Sequence, residues 1–249
     1  MKQKPLLLAG GFLALALSAS GQTFTLDDTA PFDPSTYRSI NDYAVGEVSF
    51  NNTTGPQSPY STDPVGFKRT TVVTPSGAEV SVWDACAELF IGPTGSSSYT
   101  VTAGLSQSGW SANQIDQVQA LYSNALLLFV GELGDYDAAR PYGAAIQIAL
   151  WEIAEETSGS LDLLSGDFNL SSNAGDTATT DAVALATQWI SNIQNSTWTD
   201  QGGISYFYAD GGSEQNRLWA TPGVTTVPEP SVALLGILGG MLVIRRRRR

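Results

Sequence analysis

The stretch AAIQIALWEIAEE, Ala144 to Glu156, constrains the fold more than any other part of the chain. Ala144, Ile148 and Trp151, with Ala145 and Ile146, cover so much of a helical circumference that this helix must be enclosed on most sides. One residue breaks the pattern. Gln147 shares a face with Tyr142 or Gly143 on one side and with Leu150 and Trp151 on the other. A primary amide in such a place needs hydrogen-bond partners, or it costs about 1–3 kcal/mol. Bonding to loop backbone, which would pin the helix, is the simplest use for it.

The enclosing elements are legible on either side. From Thr23 to about Ser108 short β-like runs recur between Gly, Pro, Ser and Asn clusters: Gly46 to Phe50, Phe67 to Thr74, Glu79 to Ile91 and Ser98 to Thr102. Helical spacing then takes over, with Ile115, Val118, Leu121, Tyr122, Ala125 and Leu126 behind an N-cap at Ser111 or Asn113. The enclosed helix is expected to begin near Pro141, because proline is favoured in a first turn. A third helix is expected over Thr179 to Gln194, capped by Thr180 or Asp181. Strands return at Ile204 to Asp210 and Asn216 to Ala220, and Thr221 to Val227 reads as a linker. This order implies an α+β fold: an antiparallel β-sheet or barrel portion with a packed helical subdomain of about three helices.

The two ends stand apart from this pattern. Lys2 and Lys4 precede an apolar run and then small residues around Ser18, Ser20 and Gly21, the layout of a secretory signal peptide over residues 1–21. At the other end Pro228, Glu229 and Pro230 are followed by an apolar run from Val232 to Ile244 and by five arginines. As a helix that run falls well short of a bilayer's ~30 Å hydrocarbon core, so it would anchor weakly, with the arginines on the cytoplasmic side. An ordinary single-span tail anchor is one reading. The order of triplet, short apolar helix and arginine cluster resembles the C-terminal sorting signal of bacterial PEP-CTERM proteins. That resemblance implies that residues 224–249 are a sorting tail and that an exosortase is a partner. It further implies a brief tether to the inner membrane by the C-terminal helix, then delivery to the cell surface or the extracellular matrix. Residues 22–223 would form one extracellular domain.

Seven of the chain's 12 basic residues lie in the end segments, but only one of its 24 acidic residues does. The domain keeps five basic and 23 acidic residues, a balance of −18. Such a surface repels nucleic acid and anionic lipid. The chain has no histidine, which removes Ser-His-Asp and Cys-His catalysis and the commonest zinc ligand. No cofactor or metal is expected, and a hydrolase is disfavoured because no pair of nucleophile and base is visible. Glu152, Glu155 and Glu156 follow one another on one helix and read as a solvated face rather than as a carboxylate pair or calcium site.

The single cysteine, Cys86, excludes an internal disulfide. It is an inert buried residue, half of an intermolecular disulfide, or a reactive group. Together with Gln147 it admits a further possibility. A thiolate held against a glutamine side-chain carbonyl in a dry, rigid site displaces ammonia and leaves an intramolecular thioester.

CAEL, Cys86 to Leu89, resembles the cysteine motif of bacterial surface thioester domains, and IQIALW, Ile146 to Trp151, resembles their glutamine motif. Ala85 stands where those domains often carry a larger apolar residue, and Ile146 where threonine is common. LDLLSGDFNL, Leu161 to Leu170, is similar to the segment that follows the glutamine helix in thioester-domain proteins with PEP-CTERM tails. The resemblance spans roughly Val80 to Leu218. It implies a reactive pair, Cys86 and Gln147, with Trp83, Glu88, Tyr142 and Trp151 as candidates to wall the bond. It also implies single-use covalent attachment to a surface amine or hydroxyl, in adhesion or a biofilm matrix, rather than an enzyme. Lacking histidine as an internal base, the pair is expected to favour amines. The alternative is a non-reactive structural or exopolysaccharide-binding matrix protein of the same fold, with Cys86 free.

Overall fold

The computed structural model describes residues 22–27, 38–39, 42–52, 63–73, 77, 79–87, 97–157, 159–173, 177–212 and 215–222. In chain order the elements are β1 (Gln22–Asp27), β2 (Arg38–Ser39), β3 (Asp42–Asn52), β4 (Asp63–Val73), β5 (Glu79–Cys86) and β6 (Ser97–Ala103). There follow α1 (Ala112–Glu132), α2 (Tyr136–Glu155), β7 (Phe168–Asn173), α3 (Thr177–Gln194), β8 (Ile204–Asp210) and β9 (Arg217–Pro222). The signal-peptide and sorting-tail expectations, including Pro228, Glu229 and Pro230, lie outside the described residues. So does Glu88. Among the described residues no helix is long and apolar enough to cross a membrane.

The fold is α+β, three helices packed on an antiparallel sheet ordered β1-β6-β8-β9-β5-β4-β3-β2. β7 pairs with the outer side of β3 along its second half, and β1 also pairs with β4 over Thr25–Asp27. The strand period of two sorts β5 and β9 into two faces. Ala85 and Ala87 of β5, with Leu218 and Ala220 of β9, join the core under the helices. Val82 and Trp219 join a second core on the opposite face with Val72, Tyr99, Val101, Phe207 and Ala209. Asp84 and Arg217 belong by alternation to this second face, whereas Cys86, at the end of β5, packs against the core under the helices.

α1 starts at Ser111 in a capping box: the Ser111 hydroxyl accepts from Gln114 N and the Gln114 side chain accepts from Ser111 N. α2 begins five residues earlier than the proline suggests. Asp135 caps it by accepting from Asp137 N and Ala138 N, and Pro141 sits inside the helix. The physical reason is the cap, since two orphan N–H groups satisfied at Asp135 fix the first turn well before the proline. α3 starts at Thr177, so Thr180 and Asp181 lie within its first turns. β9 runs to Pro222 and takes the first two residues of the expected linker.

α2 is enclosed as its sequence requires. It packs against α1, α3, β3, β4 and β7, and Ile146, Ile148, Leu150 and Ile153 are fully buried. Each such side chain contributes roughly 1.5–3 kcal/mol relative to exposure.

The expected solvated glutamate face is corrected by the structure. Glu152 and Glu156 are buried, with relative exposures of 0% and 3%. The segment after α2 folds back over them: Glu152 Oε1 accepts from Asp162 N at 2.5 Å, and Glu156 Oε2 accepts from Asp167 N at 2.8 Å. These carboxylates supply acceptors to a loop whose N–H groups lack strand or helix partners, which is what draws them inward.

Candidate functional site

The β4–β5 ladder runs from Val73↔Glu79 to Lys68↔Asp84 and stops there. Two residues further in that register Cys86 would face Gly66, whose other edge pairs with Ala44 of β3. On its other side β5 stays attached to β9, through Cys86↔Arg217 and through Ala87 N donating to Asn216 O at 2.8 Å. The β4–β5 register thus ends two residues before Cys86.

Gln147 of α2 bonds to the Cys86 main chain. Cys86 N donates to Gln147 Oε1 at 2.8 Å, and Gln147 Nε2 donates to Cys86 O at 2.8 Å. The amide is 1% exposed and bonded through both its oxygen and its nitrogen, as a peptide group of an adjacent strand would be. The glutamine in the enclosed helix therefore meets strand backbone, at the one cysteine of the chain, rather than loop backbone.

The Cys86 side chain is half-buried and packs against the core under the helices. Arg217 Nη1 donates to its sulfur at 3.6 Å and to Asp84 Oδ2 at 3.2 Å. Thr70 Oγ1 donates to Asp84 Oδ1 at 2.7 Å. Asp84 and Arg217 are 0% and 2% exposed. Burial by itself lowers the Arg217 pKa, but Cys86, Asp84 and Tyr99 together raise it above the ordinary guanidinium value, so Arg217 is a permanent charge. Lys68 is pulled the other way: burial and then Arg217 lower its pKa, against Asp84 and Cys86. None of Arg217, Asp84, Thr70 or Lys68 was singled out by sequence. Arg217 is 131 residues from Cys86, and its only sequence signal is a charge among the apolar residues of a short strand.

The proposed wall residues are placed less uniformly. Trp151 follows Gln147 by one helical turn and is buried. Trp83 points to the helical face, where its ring meets Phe129 edge-on at 5.4 Å and Arg69 lies over it. Tyr142 packs beside Trp189 of α3, ring centroids 6.3 Å apart. A cleft of about 580 Å³ opens between α1 and the turn after α3, lined in part by Asp116, Gln117, Trp198 and Asp200. It contains neither Cys86 nor Gln147. Among the described residues no cluster of His, Cys, Asp and Glu could hold a metal ion.

The arrangement has a definite chemical capacity. The Cys86 N–H already polarises the Gln147 carbonyl, in the way a donor to a developing oxyanion does. The Cys86 carbonyl holds the amide nitrogen, the group that would leave in acyl transfer to sulfur. A cation stands at the sulfur.

No family model matches the chain, and no curated protein matches it. Solved structures similar to it include three N-terminal domains. The N-terminal thioester domain of a surface protein from Clostridium perfringens is 13% identical, with a TM-score of 0.39, covering 70% of this chain and 96% of that one. The N-terminal thioester domain of the fibronectin-binding protein SfbI from Streptococcus pyogenes is 11% identical, with a TM-score of 0.38, covering 70% and 92%. The N-terminal domain of the Streptococcus pyogenes pilus tip adhesin Cpa is 13% identical, with a TM-score of 0.33, covering 78% and 100%. At these scores the likeness is loose, and nothing about the chemistry of Cys86 and Gln147 follows from it.

Proposed function

We propose that this chain is an exported surface or exopolysaccharide-associated protein that carries an internal Cys86–Gln147 thioester for single-use covalent attachment to an amine or, less readily, a hydroxyl. The observation that carries the reading is the paired hydrogen bonding of the Gln147 amide to the main chain of Cys86, the residue that bears the chain's one thiol. In bond formation Cys86 sulfur attacks Gln147 Cδ, the thiol proton passes to the departing nitrogen, and ammonia leaves. In attachment an amine nitrogen bonds to Cδ, the carbon–sulfur bond breaks with its electron pair remaining on sulfur, and the proton lost by the amine restores the thiol. The product is an amide and the pair is consumed, so the protein does not turn over.

Export would follow from the signal-peptide layout of residues 1–21. The Pro228-Glu229-Pro230 tail would direct the chain through the inner membrane to an exosortase and then to the surface or matrix. An acidic domain of this kind suits a cationic, amine-bearing acceptor.

The test is the intact mass of the purified protein under neutral, amine-free conditions, compared with Cys86→Ala. A wild-type mass short by one ammonia, with the deficit absent in the variant and removed by methylamine, supports the thioester. A full mass with a titratable thiol supports the second reading, a non-reactive matrix protein. That reading is favoured by one observation: the two hydrogen bonds alone satisfy the buried amide.

A further inference from the structure

Arg217 faces Cys86 across the β5–β9 pair and touches both a buried carboxylate and the sulfur through one nitrogen. Buried ion pairs are weak evidence of stabilisation, because desolvation commonly cancels the attraction between the partners. An apolar pair would fill this position in the second core at no such cost. What distinguishes the pair is its third contact. Thr70 fixes Asp84, Asp84 fixes the guanidinium, and the guanidinium is presented to Sγ at 3.6 Å. Lys68, opposite Asp84 in the β4–β5 register, adds a second basic group to the same cluster. With Lys68 protonated, two cations stand against one carboxylate, and a thiolate on Cys86 would balance the charge.

We propose that Arg217, clamped by Asp84, is the electrostatic partner of the reacting sulfur: it orients Sγ for attack on Gln147 and stabilises the thiolate released when an amine opens the thioester. Both steps rest on the thioester reading; the stabilisation of a Cys86 thiolate by Arg217 does not. Arg217 exchanges no proton in either step. It acts as a fixed charge in a water-poor site, where such a charge weighs far more than in solution.

The test uses the full chain with Gln147→Ala, in which no thioester can form, so that Cys86 is a free thiol. The rate of its alkylation by iodoacetamide is followed against pH, alone and combined with Arg217→Lys, Arg217→Met, or Arg217→Met with Asp84→Asn. The double change removes both charges and leaves no unpaired carboxylate to unfold the sheet. Loss of Arg217 moves the midpoint of the rate profile to higher pH in both methionine variants, and Arg217→Lys restores part of the shift. A structural role alone lowers the melting temperature and leaves the midpoint where it was, and that result overturns the proposal. In the chain that retains Gln147, opening by methylamine slows about a hundredfold or more in the double variant, the scale for loss of one preorganised stabilising group. If the wild-type mass shows no ammonia deficit, the thioester reading fails, while the alkylation profile still decides the role of Arg217.

Discussion

The Gln147 side chain takes both hydrogen-bonding groups of the Cys86 main chain, accepting from N and donating to O, each at 2.8 Å. It stands where Gly66 would pair if the β4–β5 register continued. One amide thus joins the enclosed helix to the end of a strand. The geometry that satisfies the amide also fixes its carbonyl beside the cysteine.

Removing that amide strands two main-chain groups at once. Each group left unpaired costs roughly 1–3 kcal/mol when water cannot replace the partner. Gln147→Ala is therefore expected to lower stability by at least about 2 kcal/mol, read as a fall in the urea midpoint at unchanged m. A loss under about 0.5 kcal/mol, the scale of an ordinary surface substitution, would mean that the strand end does not depend on the amide.

Glu152 gives the fold a pH dependence of definite sign. Burial first, with contributions from the charges of Glu156 and Asp162, raises its pKa from 4.5 to about 8, against the lowering effect of the Asp162 N–H. The folded chain therefore holds a proton that the unfolded chain releases above its ordinary value. Its contribution is complete below about pH 4.5 and is lost as pH rises to about 8. Glu152→Gln keeps an acceptor for Asp162 N and removes the titration. Over this window the glutamine variant is expected to lose less stability than wild type as pH rises. Parallel stability–pH curves for the two proteins would refute the assignment.

The parts of this arrangement legible in the sequence are those that declare themselves locally. Gln147 stands out because its neighbours on the helix are apolar, and β8 stands out as a short run whose expected bounds, Ile204 to Asp210, the strand matches. Pro141 misleads because a first-turn proline and an interior proline look alike until the cap is known, and the cap is Asp135. Glu152 and Glu156 have the spacing of an exposed helical face; what buries them is a later loop, through Asp162 and Asp167. Arg217 reaches Cys86 only through the pairing of β5 with β9, a relation across 131 residues that no local pattern encodes.

That loop offers a separate test of the buried glutamates. Gly166 has φ +103°, a region costly for other residues, and a Cβ there would collide with Glu156 Oε2. Gly166→Ala is expected to cost about 1–3 kcal/mol from the backbone alone, with a matching fall in melting temperature. Glu156→Ala in the same background would relieve the collision but not the backbone strain. Full recovery in that double variant would show that the collision, and not φ, sets the cost.

Acceptor choice follows from what surrounds the acyl carbon. By microscopic reversibility an attacking amine enters where the amide nitrogen now lies, and the Cys86 carbonyl that accepts from Nε2 accepts from the incoming N–H instead. An amine retains a proton for that bond after it has attacked, whereas a hydroxyl surrenders its only one. A hydroxyl also needs a base to take that proton, and the chain has no histidine to serve. Given equal concentrations of methylamine and methanol at neutral pH, the protein is expected to accumulate the methylamide almost exclusively, resolved by mass after tryptic digestion of the peptide carrying Gln147. Comparable amounts of ester would mean that another group supplies the base, with Lys68 the first to substitute because burial, then Arg217, lowers its pKa.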